Sequence, residues 1–360
     1  MREMKIIACN VPYNEGGLGK FLATLVEQAR ADGQLAGYYA TAVKPNDPLG
    51  RELSLQKFRW LFRAPPLRGS HAWRDFLASD LFDRAVATKL TPASGFTGFS
   101  GRALRSFRRA RVADFTHLVL ESATSHVDNV WRQHRKATRA FPIEESWLNG
   151  MQYRKTLREY DLADVIYVSS EYARQTFLDA GMTESKIQRR FQPVAQRWAP
   201  PPSLTRRHGF HVVYVGRLQV SKGVPVLLDA FARLPDEDAR LTLVGGTASD
   251  AMERYLRRRV AEDRRIQISP GDPLSHLHRA DVLVHPSFED GLGLAPLEAL
   301  ACGVPVIVTE DTGMKEFVVG GSNGYVLPAG DIEALVEQLQ TIRAQPLKGT
   351  FEPYLTPARV

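Results

Sequence analysis

The sequence predicts two doubly wound α/β domains, each a parallel sheet covered by helices on both faces. Three observations lead there. At 360 residues, 44% of them hydrophobic, the chain is long enough to bury two cores. Short unbroken Val/Ile/Leu runs alternate with stretches at helical spacing, the pattern of strands buried on both faces. The proline-rich stretch from Pro193 to Pro202 separates two such series. The expected extents are 1–195, 196–344 and a C-terminal tail, 345–360, that crosses back to the first domain.

In the first domain, Lys5–Cys9 reads as a strand, followed by a Gly-rich turn at Gly16–Gly19. Phe21, Leu22, Leu25, Val26 and Ala29 then fall on one helical face. Further strands are expected at Gly37–Ala42, His117–Glu121 and Asp164–Ser169. Residues 45–112, broken by Pro and Gly, read as loops and helices inserted on this domain. The second series is more regular. Strands are expected at Val212–Val215, Leu241–Val244, Val282–His285, Val304–Val308 and Tyr325–Leu327. Helices fit at Val224–Leu234, Ala251–Glu262 and Leu294–Ala301.

Composition narrows the class. Cys9 and Cys302 are the only cysteines, too few for a disulfide framework or a cysteine zinc site. The apolar run Ile6–Cys9 is too short for a signal-peptide core, and no stretch approaches the roughly 20 apolar residues of a membrane span. A cytoplasmic protein is therefore expected, with the inner face of the membrane as a further location. Lys and Arg number 47 against 40 Asp and Glu, a net charge of +7. The excess is local: residues 51–111 hold 13 basic and 4 acidic residues, whereas 196–360 hold 18 and 20. Such a patch suits phosphate, acidic polymer or anionic lipid.

Three motifs carry candidate chemistry. Asn14-Glu15-Gly16-Gly17-Leu18-Gly19-Lys20 lies between a strand and a helix. It is either a tight turn or an anion seat formed by backbone N–H groups at the helix N-terminus. Phe21 excludes a P-loop, which needs Ser or Thr there. Gly216-Arg217 and Ser221-Lys222-Gly223 follow a strand. Two cations at the carboxyl end of a parallel strand suit a diphosphate, although a solvated basic loop has the same composition. The longest motif runs His285-Pro286-Ser287-Phe288-Glu289-Asp290-Gly291-Leu292-Gly293-Leu294 and on through Glu298 to Gly303-Val304-Pro305-Val306-Ile307. Its glycines leave backbone N–H groups at a helix N-terminus. Asp290 before the helix and Glu298 inside it can accept hydrogen bonds from sugar hydroxyls; the alternative makes Glu289 and Asp290 capping acids.

This last motif resembles the signature of family 4 glycosyltransferases of the GT-B fold, E-x7-E within EGxGLxxLEAMAxGxPVI. Gly-Arg-x4-Lys-Gly resembles the same family's donor-diphosphate element, the N-terminal glycines its GGxG loop, and Ser170-Glu171-Tyr172 through Pro200 the approach to its interdomain linker. The resemblance implies two Rossmann-like domains, the first for the acceptor and the second for a nucleoside diphosphate sugar. It implies a retaining glycosyl transfer in polysaccharide or glycolipid assembly. Arg217 and Lys222 would clamp the diphosphate, replacing a metal, so no metal or cofactor is expected. Glu298 would hold the ribose. Gly291, Gly293 and Leu294 would bind phosphate or donor sugar, as would Gly16, Gly17 and Gly19. The first Glu of the signature falls on Asp290, so the chain carries a D-x7-E variant, with Glu289 adjacent. A nucleotide-sugar epimerase of the same fold, or an inactive homologue acting as a binding subunit, is the alternative.

His126, just after the strand ending at Glu121, is the family-like histidine for the donor sugar or the transition state, or else a structural residue. His117 reads as structural and His134, among Arg132, Arg135 and Lys136, as solvated. Gln56–Arg63 mixes cations and aromatics. Arg102, Arg105, Arg108, Arg109 and Arg111 fall on a helix with Leu104 and Phe107. Both suit a lipid-linked or other anionic acceptor, or an anionic membrane, or simply a solvated face. No RNA-binding signature accompanies them, so nucleic acid is not an expected partner.

Overall fold

A computed structural model describes residues 3–54, 70–191, 194–201, 209–247, 249–347 and 349. Gln56–Arg63 and the tail beyond 349 lie outside these residues. The chain divides into two compact units. One comprises 1–131, 145–169 and 174–190; the other comprises 132–144, 170–173 and 191–360.

The first unit is built on β1 (Lys5–Ala8), α1 (Gly16–Ala31), β2 (Leu35–Ala40), β3 (Gly50–Glu52), α2 (His71–Lys89), β4 (Gly95–Phe99), α3 (Leu104–Val112) and β5 (His117–Ser122). The start of α4 (Val127–Ala140), then α5 (Gly150–Leu162), β6 (Val165–Val168), most of α6 (Glu171–Asp179) and β7 (Ile187–Arg189) complete it. The strands form one parallel sheet in the order β3-β2-β1-β4-β5-β6-β7. Phe21, Leu22, Leu25, Val26 and Ala29 of α1 are buried against Ile7, Tyr38 and Phe99, as their spacing requires.

The 45–112 region is not an insertion. It contributes β4, a central strand buried along its whole length. Its sequence, Gly-Phe-Thr-Gly-Phe, hides this because glycine is depleted in strands. Here the glycine has a packing reason: a Cβ on Gly98 would stand 2.4 Å from the Ala103 Cβ. The helix α3 behind it starts on buried carboxylates. Asp83 accepts the Arg105 and Ser106 N–H groups at 2.8 and 2.9 Å, and Glu159 accepts those of Ala103 and Leu104 at 2.8 and 3.0 Å. These satisfy donors that a helix N-terminus leaves open.

The second unit contains β8 (His211–Val215), α7 (Val224–Ala232), β9 (Arg240–Val244), α8 (Asp250–Glu262), β10 (Ile266–Ser269), the short α9 (Leu274–Leu277), β11 (Val282–His285), α10 (Leu294–Ala301), β12 (Val306–Thr309), β13 (Gly324–Leu327) and α11 (Ile332–Ala344). Its parallel sheet runs β10-β9-β8-β11-β12-β13. The strand order reverses direction between β8 and β11, the place where doubly wound sheets open a crevice at their carboxyl ends. Residues 132–144 belong to this unit: Ala137 is fully buried in its core, and Phe141 and Ile143 pack against it. No described helix is long and apolar enough to cross a membrane.

Candidate active site

The loops after β8 and β11 bring the second unit's predicted residues to one place. The backbone leaves β8 through Gly216 and Arg217 and makes a single 3-10 turn over Val220–Lys222. It then enters α7 at Gly223, whose φ is +69°. Only glycine fits there: a Cβ would lie 1.8 Å from the Pro286 carbonyl oxygen. This contact brings the cationic loop against the loop that follows β11. Phe288 N–H donates to the Ser221 carbonyl at 2.9 Å, fixing the same approach.

Within that junction Lys222 Nζ donates to Asp290 Oδ2 at 2.7 Å and to the Glu289 carbonyl at 3.0 Å. His285 Nε2 lies 3.1 Å from the same Asp290 oxygen. Burial alone would raise the Asp290 pKa, but the Lys222 charge and the His285 hydrogen bond outweigh it, so the carboxyl sits well below the usual range. Its Oδ1 takes no hydrogen bond among the described residues, which leaves one acceptor oxygen for a ligand. Glu289, by contrast, is buried, at 2% exposure. Asp290 is thus the outward-facing acid of the adjacent pair.

Gly293 is the N-cap of α10, with φ +88°, and Gly291 and Leu294 lie on either side of it. No side chain caps this helix start, so its N–H groups keep their capacity for an anion. Glu298 lies one turn into α10 and is partly exposed. Arg217 is exposed, and its carbonyl accepts the Tyr214 hydroxyl at 2.9 Å, which fixes the backbone of the loop.

Several groups were not singled out from sequence. Glu144 Oε1 accepts the Val220 N–H at 2.8 Å, and its other oxygen accepts the Ser249 hydroxyl. One carboxylate therefore ties the Lys222 loop to the N-cap of α8. Gln133 Nε2 donates to Asp311 at 2.7 Å, and Asp290 N–H donates to the Asp311 carbonyl at 3.2 Å. No motif marks Glu144 or Gln133, because their partners lie 76 and 178 positions away. His134 is buried rather than solvated. Loss of water, reinforced by the Lys222 charge, lowers its pKa to about 3.

The first-unit candidates are placed separately. Gly16, Gly17 and Gly19 form the first turn of α1 rather than a turn before it. A Cβ on Gly19 would meet the Pro12 carbonyl at 2.3 Å, while nothing lies within 4 Å of one on Gly16 or Gly17. His126 is buried at the start of α4, its ring 5.0 Å from Tyr160 and 5.1 Å from Phe177. Its Nδ1 accepts the Asp128 N–H at 3.2 Å, an N-cap bond, and burial lowers its pKa. His117 lies at the exposed start of β5, its Nδ1 3.0 Å from Glu3. Arg102 precedes α3 rather than belonging to it. Arg105 is bound by Asp80 and Arg111 by Asp164; Arg108 and Arg109 are exposed, with no ion pair among the described residues. Among the described residues no group of three His, Cys, Asp or Glu is placed to hold a metal ion.

Residues 209–345, which hold Arg217, Lys222, His285, Asp290 and Glu298, match the family of group 1 glycosyl transferases. Over those residues the chain is similar to the group 1 glycosyltransferases. It is 37% identical over 138 residues to a D-inositol 3-phosphate glycosyltransferase of Pseudarthrobacter chlorophenolicus, covering 34% of this chain and 33% of that protein. It is 35% identical over 133 residues to the lipopolysaccharide core biosynthesis mannosyltransferase LpsB of Rhizobium meliloti, covering 34% of this chain and 38% of the relative. The matches thus span about a third of the curated relatives' length. Solved structures extend the likeness to the whole fold. Sucrose-phosphate synthase of Thermosynechococcus elongatus superposes with a TM-score of 0.73 at 20% identity, covering 96% of this chain and 90% of that one. Anabaena HepE in complex with UDP-glucose does so with a TM-score of 0.66 at 17% identity, covering 97% and 92%. The two parallel-sheet units are those of the GT-B fold.

Proposed function

We propose that this protein is a retaining glycosyltransferase that moves a sugar from a nucleoside diphosphate sugar to an acceptor hydroxyl. One observation carries the reading: Lys222, Asp290 and the uncapped start of α10 meet at the reversal point of the second sheet, inside the segment that matches the family. Lys222 and Arg217 supply positive charge for the departing diphosphate, and the N–H groups of α10 add to it. Asp290 Oδ1 accepts a hydroxyl of the donor sugar, and Glu298 accepts the ribose hydroxyls. The diphosphate oxygen takes the acceptor proton as the glycosidic bond forms. The retained configuration is the family's. Gly16 and Gly17, whose N–H groups open the α1 helix, provide a second anion seat.

The acceptor we infer is anionic or carried on an anionic lipid, because Arg108 and Arg109 stand exposed and uncompensated on the basic segment. On this reading the enzyme works at the inner membrane face, in polysaccharide or glycolipid assembly. The deciding experiment is a panel of nucleotide sugars scored by thermal shift, since a ligand of the folded state raises the melting temperature by mass action. One donor stabilising the protein, with Lys222→Met abolishing the shift, is the expected result. No shift with any donor, or conversion of the donor to an epimer without acceptor, would remove the reading.

A further inference from the structure

We propose that His285 is the positioning residue of the D-x7-E site: it holds Asp290 in place when Lys222 turns to the diphosphate. The proposal rests on the donor-site reading above and deepens it. Asp290 Oδ2 is shared by two donors, Lys222 Nζ at 2.7 Å and His285 Nε2 at 3.1 Å. They differ in freedom. The lysine side chain is 22% exposed, on a flexible stem, and its charge is the one a diphosphate claims. The imidazole is 5% exposed and sits at the last residue of β11. It is confined along the same edge as well: a Cβ on Gly293 would stand 3.3 Å from Nε2, so glycine leaves that edge of the ring its room.

Among the described residues the ring makes a single hydrogen bond, and His285 Nδ1 is buried with no partner, which is uncommon for a buried polar atom. The proton therefore belongs on Nε2, facing the carboxylate, because an N–H at Nδ1 would be left unsatisfied. All the ring's polar capacity is spent on one oxygen of Asp290. That fixes the direction of the other oxygen, Oδ1. It also explains the length of the side chain. A glutamate at 290 would carry its carboxylate one methylene further, into the imidazole. The short acid and the histidine are a matched pair.

The test uses the full chain, the nucleotide sugar selected by the panel, and its parent nucleoside diphosphate, with both dissociation constants measured by calorimetry. Removing the outer partner of a metal-ligating group typically costs 10–100-fold, and a loss at the low end of that range is expected for a carboxylate that must be oriented toward a sugar hydroxyl. His285→Leu is expected to weaken nucleotide-sugar binding at least about tenfold while leaving the diphosphate within about threefold. His285→Gln, which keeps an N–H near the Nε2 position, is expected to restore most of the loss. Asp290→Glu is expected to lose the sugar increment, and His285→Ala added to it to regain part. The proposal is overturned if His285→Leu binds the sugar nucleotide like the wild type, or loses both ligands equally, or if the 285 and 290 changes are simply additive. Should His285→Leu fail to fold, the His285→Gln protein and the 285/290 pair decide. A Lys222→Met protein that still binds the diphosphate normally overturns the donor-site reading itself, a result distinct from all of these.

Discussion

Glu144 and Val220 are joined by a 2.8 Å hydrogen bond from the Val220 N–H to the Glu144 carboxylate. The acceptor comes from the first half of the sequence, and the donor opens the turn that carries Lys222. Val220 is 1% exposed, so its N–H has no access to water if the carboxylate is lost. An orphaned buried donor costs about 1–3 kcal/mol. Glu144→Ala should therefore lower the melting temperature and weaken binding of the nucleoside diphosphate that the panel selects. Glu144→Gln, which still offers an oxygen, should lose less. Thermal unfolding and calorimetry on both variants check this.

Lys222→Met should raise the pKa of Asp290, since the Lys222 charge is the main force opposing burial. The sign for stability follows. A carboxyl held below its unfolded value of about 3.9 stabilises the fold above that pH and loses the contribution as pH falls through the folded value. In the wild type that loss comes only in strong acid. In Lys222→Met it should move to higher pH, visible as a steeper fall in urea stability below pH 5. A carbon-13 titration of Asp290 reads the same shift directly.

Glu121 gives the opposite dependence. It is 1% exposed, and burial, only partly countered by Arg190 and Lys5, raises its pKa to about 7. The folded state then binds its proton more tightly than the unfolded state does. The stabilisation is complete below the unfolded value near 4.3 and is lost as pH rises through about 7. Glu121→Gln should flatten the decline between pH 5 and 8 and leave the protein more stable than wild type at pH 8. Melting curves at the two pH values decide it.

Two glycines should respond oppositely to alanine. Gly223 has φ +69°, and its Cβ would overlap the Pro286 carbonyl, so Gly223→Ala should destabilise by more than about 2 kcal/mol and separate the loops that carry Lys222 and Asp290. Gly17 is helical, with open space where the Cβ would stand, so Gly17→Ala should stabilise by about 0.4–1 kcal/mol. Chemical denaturation of both compares them.

The second unit was readable from sequence because its strands are unbroken Val, Ile and Leu, and its site lies on one continuous motif. Lys222 and Asp290 could be named as neighbours in function, since both follow strands that end on the same side of a parallel sheet. What the motif could not convey was that they pair, with His285 as third member; that depends on Gly223 meeting Pro286. The first unit was less legible. Gly95–Phe99 is strand only because α3 packs on Gly98, a tertiary reason absent from local propensity. The glycines at 16–19 read as a turn because glycine disfavours helix, yet Gly19 must be small to pass Pro12. His134 lies among charged residues in sequence but is buried on a different face of the same helix. Glu144 carried no signal, being an isolated acid far from its partners.

The assignment of residues 132–144 to the second unit bears on any attempt to study the halves separately. A single cut in the proline-rich stretch after residue 191 would release a C-terminal fragment that lacks Ala137, Phe141, Ile143 and Glu144. Such a fragment would expose the apolar face those residues cover and leave the Val220 N–H unanswered. The chain is therefore interleaved rather than sequential, and its two sheets are not separable by one proteolytic nick. An intact second unit would need the 132–144 peptide supplied in trans or spliced back onto it.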